Sequence, residues 1–191
     1  GLHQARPEWL MIDGATVHVA ADKVLENGSV LIQGNRIVEI GAAIKPPAGT
    51  RVISGKGKHV YPSFIDPYVP VSLEKSELAS TSYWNGNIRP DRSAAASGSL
   101  SLVKVNDWRK AGFGAAVLAP NSGIVQGKSA LFLLGDGDPK QTLLRADVTM
   151  NLSLTRSAQP FGEERGAGGG PTSPTGAYAL GRQAMHDAIW Y

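Results

Sequence analysis

Apolar and polar positions alternate along the first third of the chain. Leu10 and Ile12, followed by Thr16, Val17 and Val19, flank Asp13-Gly14, which predicts two short strands around a turn, with His18 facing away from Val17 and Val19. Asn27-Gly28 opens the next strand. Gly34-Asn35 then separates the apolar runs 30–33 and 36–40, the pattern of a two-residue hairpin loop in which left-handed backbone suits Gly and Asn. Pro46-Pro47-Ala48-Gly49 breaks the chain, residues 51–54 make one more strand, and Gly55-Lys56-Gly57 turns it. Residues 1–58 thus read as an antiparallel β-sheet, one portion of a β-sandwich.

Beyond residue 58 the pattern changes. Val60, Phe64 and Ile65 precede Asp66 and a short polar turn, as in a buried parallel strand whose carboxyl end opens on a pocket. The segment Tyr83-Trp84-Asn85-Gly86-Asn87-Ile88-Arg89-Pro90 reads as a loop carrying aromatic, amide and guanidinium groups. Leu102, Val105 and Trp108 have helical spacing, Gly112 is the expected C-terminal stop, and 115–119 form an apolar strand. Strand, helix and strand in this order predict a right-handed crossover unit, with the exit loop 121–127 opening on the same face as Tyr68.

Residues 142–144 and 148–154 predict further strand, with Met150, Leu152 and Leu154 on one side. Gly135-Asp136-Gly137-Asp138-Pro139 is expected to be a turn, because the ligand spacing and closing glutamate of a calcium loop are missing. Residues 162–170 form a glycine-rich loop. Ser173 caps a helix that Pro174 starts, and Ala177, Leu180, Ala184 and Ala188 give it a narrow small-residue face.

Composition narrows the function classes. With 191 residues, 42% hydrophobic and 18% charged, the chain can bury a core, while 23 Gly and 12 Pro imply many turns. The formal charge of +3 is spread singly rather than in a basic stripe, which argues against nucleic acid as a partner. No run approaches the ~20 apolar residues of a membrane span. Without cysteine there is no disulfide, thiolate metal site or cysteine nucleophile in this sequence.

A family resemblance rests on three stretches taken in order. Val30-Leu31-Ile32-Gln33-Gly34-Asn35-Arg36-Ile37-Val38-Glu39-Ile40-Gly41 and Val52-Ile53-Ser54-Gly55-Lys56-Gly57-Lys58 lead into Val60-Tyr61-Pro62-Ser63-Phe64-Ile65-Asp66-Pro67-Tyr68-Val69-Pro70. This order resembles the entry into the barrel of amidohydrolase-superfamily enzymes. Pro120, Gly123, Gln126-Gly127 and residues 129–134 are similar to the imidazolonepropionase-like members. The resemblance implies an α/β fold in which the N-terminal sheet is followed, over 59–191, by the first units of an incomplete amidohydrolase-type TIM barrel. A whole barrel typically takes ~250 residues.

In that family the motif continues as Asp-x-His-x-His, and the two histidines hold the catalytic metal from one side of the strand. Tyr68 and Pro70 stand in those places here. A phenol gives up its proton only near pH ~10 and proline has no side-chain donor. A degenerate site is therefore expected, with no metal and no cofactor on this chain, and zinc is implied only for the complete protein. The pocket candidates are Asp66, Tyr68, Arg89, Asn121 and Gln126, with no catalytic residue assigned.

Two functions follow from different classes. The first is the N-terminal portion of an amidohydrolase-like protein, whose family activity is metal-assisted hydrolysis of amide or cyclic amide C–N bonds; this chain alone is expected to be catalytically incomplete. The second is a non-catalytic structural or assembly subunit derived from an amidohydrolase. Both imply an oligomer or hetero-oligomer with the remainder of the same polypeptide or with a second amidohydrolase-like chain. An open edge beyond 115–119 and a helix carrying Trp190-Tyr191 would otherwise leave backbone groups and aromatic surface uncovered. Relatives with a Tyr-Pro-Ser-Phe-Ile-Asp version of the motif are often exported, and Gly1 in place of Met fits removal of a leader, which points to an extracytoplasmic protein.

Overall fold

The structure, a computed structural model, describes residues 8–73, 85–96, 104–135, 139–154, 171 and 173–190. The chain forms two compact units, Gly1–Pro62 and Ser63–Tyr191. Expectations for Tyr83 and Trp84, for the 136–138 turn, for the 162–170 loop and for Tyr191 lie outside the described residues.

In the first unit β1 (Trp9–Ala20), β2 (Lys23–Gln33) and β3 (Arg36–Gly41) form an antiparallel meander. The alternating sequence gives it a buried side: Ala15, Val17 and Val30 form a core, closed by Ile12, Val19, Leu25, Ile32 and Val60. Asp13-Gly14 is not a turn between two strands. It is a ladder irregularity inside one twelve-residue strand, and Ser29 Oγ donates to Asp13 Oδ1 across it at 2.6 Å. The hairpin at Gly34-Asn35 forms as expected, with Gln33 opposite Arg36, but only Gly34 takes positive φ (59°). Positive φ at the first central residue alone belongs to the primed turn that asks for Gly first.

β4 (Arg51–Ser54) and β5 (His59–Val60) both lie parallel to β1, beside its first and second halves. The expected antiparallel sheet is therefore mixed, in the order β3-β2-β1-β4 with β5 also on β1. The cause is the connection after β3. That strand runs in the direction of β1, and residues 42–50 carry the chain to the other edge of β1, where it re-enters in the same direction. Gly55 lets two short strands follow one long one: its N–H donates to Asp13 O at 2.7 Å, and a Cβ there would stand 2.6 Å from Ala15 Cβ.

In the second unit β6 (Phe64–Val71) and β7 (Phe113–Pro120) pair in parallel, with α1 (Val105–Lys110) between them in sequence. Val105 and Trp108 of α1 pack on a core of Val69, Val71, Ala116, Leu118 and Phe132, and the Trp108 ring meets Phe113 edge-on at 5.1 Å. After β8 (Val125–Lys128), β9 (Ala130–Leu133) returns antiparallel to β7, and α2 (Pro139–Thr142) leads into β10 (Leu143–Arg145) beside β9. The sheet order is β10-β9-β7-β6.

Two expectations change here. β7 is paired on both sides, so no edge is open beyond 115–119; among the described residues the open edges of this sheet belong to β6 and β10. The strand on the far side of β7 is antiparallel rather than a further parallel strand. Only residues 121–129 separate β7 from β9, too few for the crossover of a dozen or more residues that a parallel return needs.

β8 is the centre of a smaller layer. It pairs antiparallel with β11 (Met150–Leu152), and Ile88 and Ser93 bridge to Val125 and Lys128 on its other side. Over this layer lies α3 (Pro174–Trp190), whose Ala177, Leu180 and Ala184 pack on Ile88, Ile124 and Val125. Ser173 caps the helix as expected, its Oγ accepting the Gly176 N–H at 3.1 Å. At the far end Ile189 and Trp190 are exposed.

Candidate functional site

The carboxyl ends of β6 and β7 meet where Val71 stands opposite Pro120. Just beyond, Ser72 Oγ donates to Asn121 Oδ1 at 3.3 Å, which places the candidate Asn121 on the exposed rim of this end. Ligands of parallel sheets bind at this end of the strands, because the loops that leave it converge there.

Asp66 and Tyr68 lie in the middle of β6. Val69 and Val71 are buried on the side that α1 covers, so Tyr68 and Pro70 turn to the opposite, exposed side, with Tyr68 52% exposed. The ladder is irregular between Asp66 and Val69, and there the Asp66 Oδ1 accepts the Tyr68 N–H at 2.8 Å. These residues do not fit a metal: a phenol and a proline stand where an imidazole pair would be needed, and the Asp66 Oδ1 is engaged with the Tyr68 N–H. Among the described residues no group of three or more His, Cys, Asp and Glu could hold a metal ion.

Arg89 and Gln126 sit on the β8 layer and are buried, at 2% and 6% exposure. Arg89 N–H donates to Val125 O at 2.8 Å, and Gln126 Nε2 donates to Gly123 O at 3.4 Å. Arg89 holds Asp91 by a side-on fork, Nε to Oδ1 at 3.0 Å and Nη2 to Oδ2 at 2.8 Å. These hydrogen bonds hold the Asp91 carboxyl below its usual range, and partial burial works against them.

Arg92 completes the cluster. Its Nη1 donates to Ser122 Oγ at 2.7 Å and to Ser122 O at 3.3 Å, tying the 85–96 segment to the exit loop of β7. Burial, and then the like charge of Arg89, push its pKa down, while Asp91 pulls it up. Asn85 and Asn87 are buried nearby, with Asn85 Oδ1 accepting both the backbone and side-chain N–H of Asn87. The glycines of the exit segment serve this contact. Gly127 has φ 113°, and a Cβ there would stand 2.7 Å from both the Cβ and the O of Arg92.

The structure thus joins Arg89 and Gln126 through the β8 layer and sets Asn121 at the strand ends, while Asp66 and Tyr68 belong to the face of β6. The sequence reading missed Asp91, Arg92 and Ser122. The only local signal was the charge triplet in Arg89-Pro90-Asp91-Arg92, on a stretch with no helix or strand period.

No family model matches the chain, and no curated protein matches it. Solved structures do. An amidohydrolase from Thermotoga maritima MSB8 superposes with a TM-score of 0.63 at 16% identity, over 95% of this chain and 48% of that one. A prolidase complexed with N-methylphosphonate-L-proline aligns at 25% identity over 59% of this chain and 26% of its own, with a TM-score of 0.39. A D-hydantoinase (dihydropyrimidinase) from Thermus sp. aligns at 35% identity over 34% of this chain and 14% of its own, with a TM-score of 0.30. The chain spans about half the length of the Thermotoga protein, and on that superposition its fold is similar to that of about half of that amidohydrolase.

Proposed function

We propose that this chain is the N-terminal portion of an amidohydrolase-like protein in which residues 1–58 contribute to a β-sandwich and 59–191 begin a (β/α) barrel whose first metal-ligand pair has been lost. In the complete protein the family activity would be metal-assisted hydrolysis of amide or cyclic amide C–N bonds, but no step of it is carried by Tyr68 or Pro70. The observation that carries the reading is the sidedness of β6. Tyr68 and Pro70 face away from the core that α1 covers, the side that becomes the interior when a barrel closes.

A second reading is a non-catalytic assembly subunit, favoured by the apolar surface that each unit leaves exposed. Ile37, Val38 and Ile40 of β3 and Val52 and Ile53 of β4 are exposed in the first unit, and Phe64 and Ile65 of β6 in the second. Apolar residues grouped on edge strands mark surface that other protein covers. Both readings expect completion by the remainder of the same polypeptide or by a second amidohydrolase-like chain. Sedimentation tests this: the isolated chain should associate or co-elute with its remainder when the two are co-expressed. A compact, stable monomer near 20.1 kDa with no second polypeptide would contradict it.

A further inference from the structure

We propose that His18 and His59 form a two-imidazole chelate for a divalent transition-metal ion, copper(II) above all, on the outer face of the first unit. Alternation along the strands puts them there. On β1, Ala15 and Val17 point into the core, so Thr16 and His18 point to the other side. β5 runs parallel beside this half of β1, with Thr16 opposite His59 and Val17 opposite Val60. Val60 therefore closes the core while His59 joins the outer face, and there His18 Nε2 stands 3.0 Å from His59 Nδ1.

This spacing is that of two ligands on one ion. Imidazole nitrogens bind such metals at about 2.0–2.1 Å, so two of them on one centre are about 2.9 Å apart at a right angle and about 3.3 Å apart at the tetrahedral angle. The observed 3.0 Å lies nearer the right angle. Copper(II) and nickel(II) take that arrangement with nitrogen and oxygen ligands, and copper(II) has the higher affinity of the two. In the metal-free pair one ring nitrogen donates and the other accepts, so one lone pair already faces the gap. Binding asks the donor ring to carry its proton on its other nitrogen and the rings to tilt until both lone pairs converge. His59 is exposed and is the ring that moves. His18 is half-buried and lies flat against Tyr61, with ring centroids 4.0 Å apart and planes 11° from parallel. Among the described residues no third His, Cys, Asp or Glu completes the set. Water therefore fills the remaining positions, and the site is open and exchangeable rather than a closed structural centre. Glu26, whose Oε2 accepts from Thr16 Oγ1 at 3.0 Å, adds negative charge beside the pair. The ion would also tie β5, held to β1 by only two residue pairs, to its neighbour. The inference goes beyond the proposed function and does not rest on it, since no residue of β6 takes part.

The test titrates copper(II) chloride at neutral pH into the full chain carrying His3→Gln and His186→Gln, which leaves His18 and His59 as its imidazoles. Calorimetry follows the binding, and pulsed EPR counts the imidazole nitrogens on the copper. The expected result is saturable binding of one ion per chain with two nitrogens. Adding His59→Gln should leave one nitrogen and weaken binding by more than about tenfold, since the loss of a ligand costs at least as much as the loss of an outer-shell partner. His18→Gln should do the same; the exposed position of His59 keeps the test decisive if His18→Gln does not fold. Tyr61→Phe keeps a ring against His18 without the phenol and should bind as the parent does, whereas Tyr61→Ser should weaken binding about threefold. Zinc held by this pair would persist in Asp66→Ala and be lost in His59→Gln. Absence of saturable binding, a single nitrogen on the copper in the parent, or undiminished binding in His59→Gln would overturn the proposal.

Discussion

Replacing Asp91 by Asn should destabilise the second unit more than an ordinary surface change. The side-on pair joins an arginine at 2% exposure to a carboxylate at 35%, by bonds of 3.0 and 2.8 Å. Breaking a fully buried pair costs roughly 3–5 kcal/mol, and an exposed pair is worth under about 1 kcal/mol. With one partner buried and the other about one-third in water, a loss of about 2 kcal/mol is expected, or a fall in Tm of several degrees. Arg89→Met should cost less in charge, because the Asp91 left behind can turn to solvent. The pH dependence has a definite sign. The pKa of Asp91 is lowered on folding, so its contribution is fully present above the unfolded value and is lost as the pH falls through the folded one. Urea unfolding should therefore show a wild-type minus Asp91→Asn difference that is constant from neutral pH to about 4 and shrinks below it. A difference under about 0.5 kcal/mol at neutral pH, or one unchanged well below the carboxylate range, would refute the reasoning.

Two further substitutions probe the frame of each unit. Gly55→Ala places a methyl group 2.6 Å from Ala15 Cβ, so the first unit should lose about 1–3 kcal/mol by denaturant unfolding, and pairing it with Ala15→Gly should recover part of the loss. Ser173→Ala removes the oxygen that accepts the Gly176 N–H and should cost about 1 kcal/mol and reduce protection of the first turn of α3 in hydrogen exchange, whereas Ser173→Asp should leave both nearly unchanged.

What was legible in the sequence was local. The Gly34-Asn35 hairpin, the helix stop at Gly112, the β7 strand and the Ser173 cap each depend on a few neighbouring residues whose backbone preferences agree with the fold. What was not legible depends on pairing between distant segments. The parallel placement of β4 and β5 on β1 is decided by where residues 42–50 carry the chain, and periodicity does not encode that. The antiparallel return of β9 follows from a connection length, and could have been weighed from the short spacing after Pro120. Within the site, Asn121 was visible as a polar residue after an apolar strand. Arg92 was not, because its contacts are with Ser122, thirty positions away, and with Gly127 at close approach.

The most direct test of the proposal that this chain has an amidohydrolase-like fold without the first metal-ligand pair is elemental analysis after equilibration with excess zinc and removal of the free ion. The expected result is no stoichiometric zinc held by the Asp66 to Pro70 segment, in the wild-type chain and in Asp66→Ala alike. Stoichiometric zinc in the wild type that disappears in Asp66→Ala would contradict it.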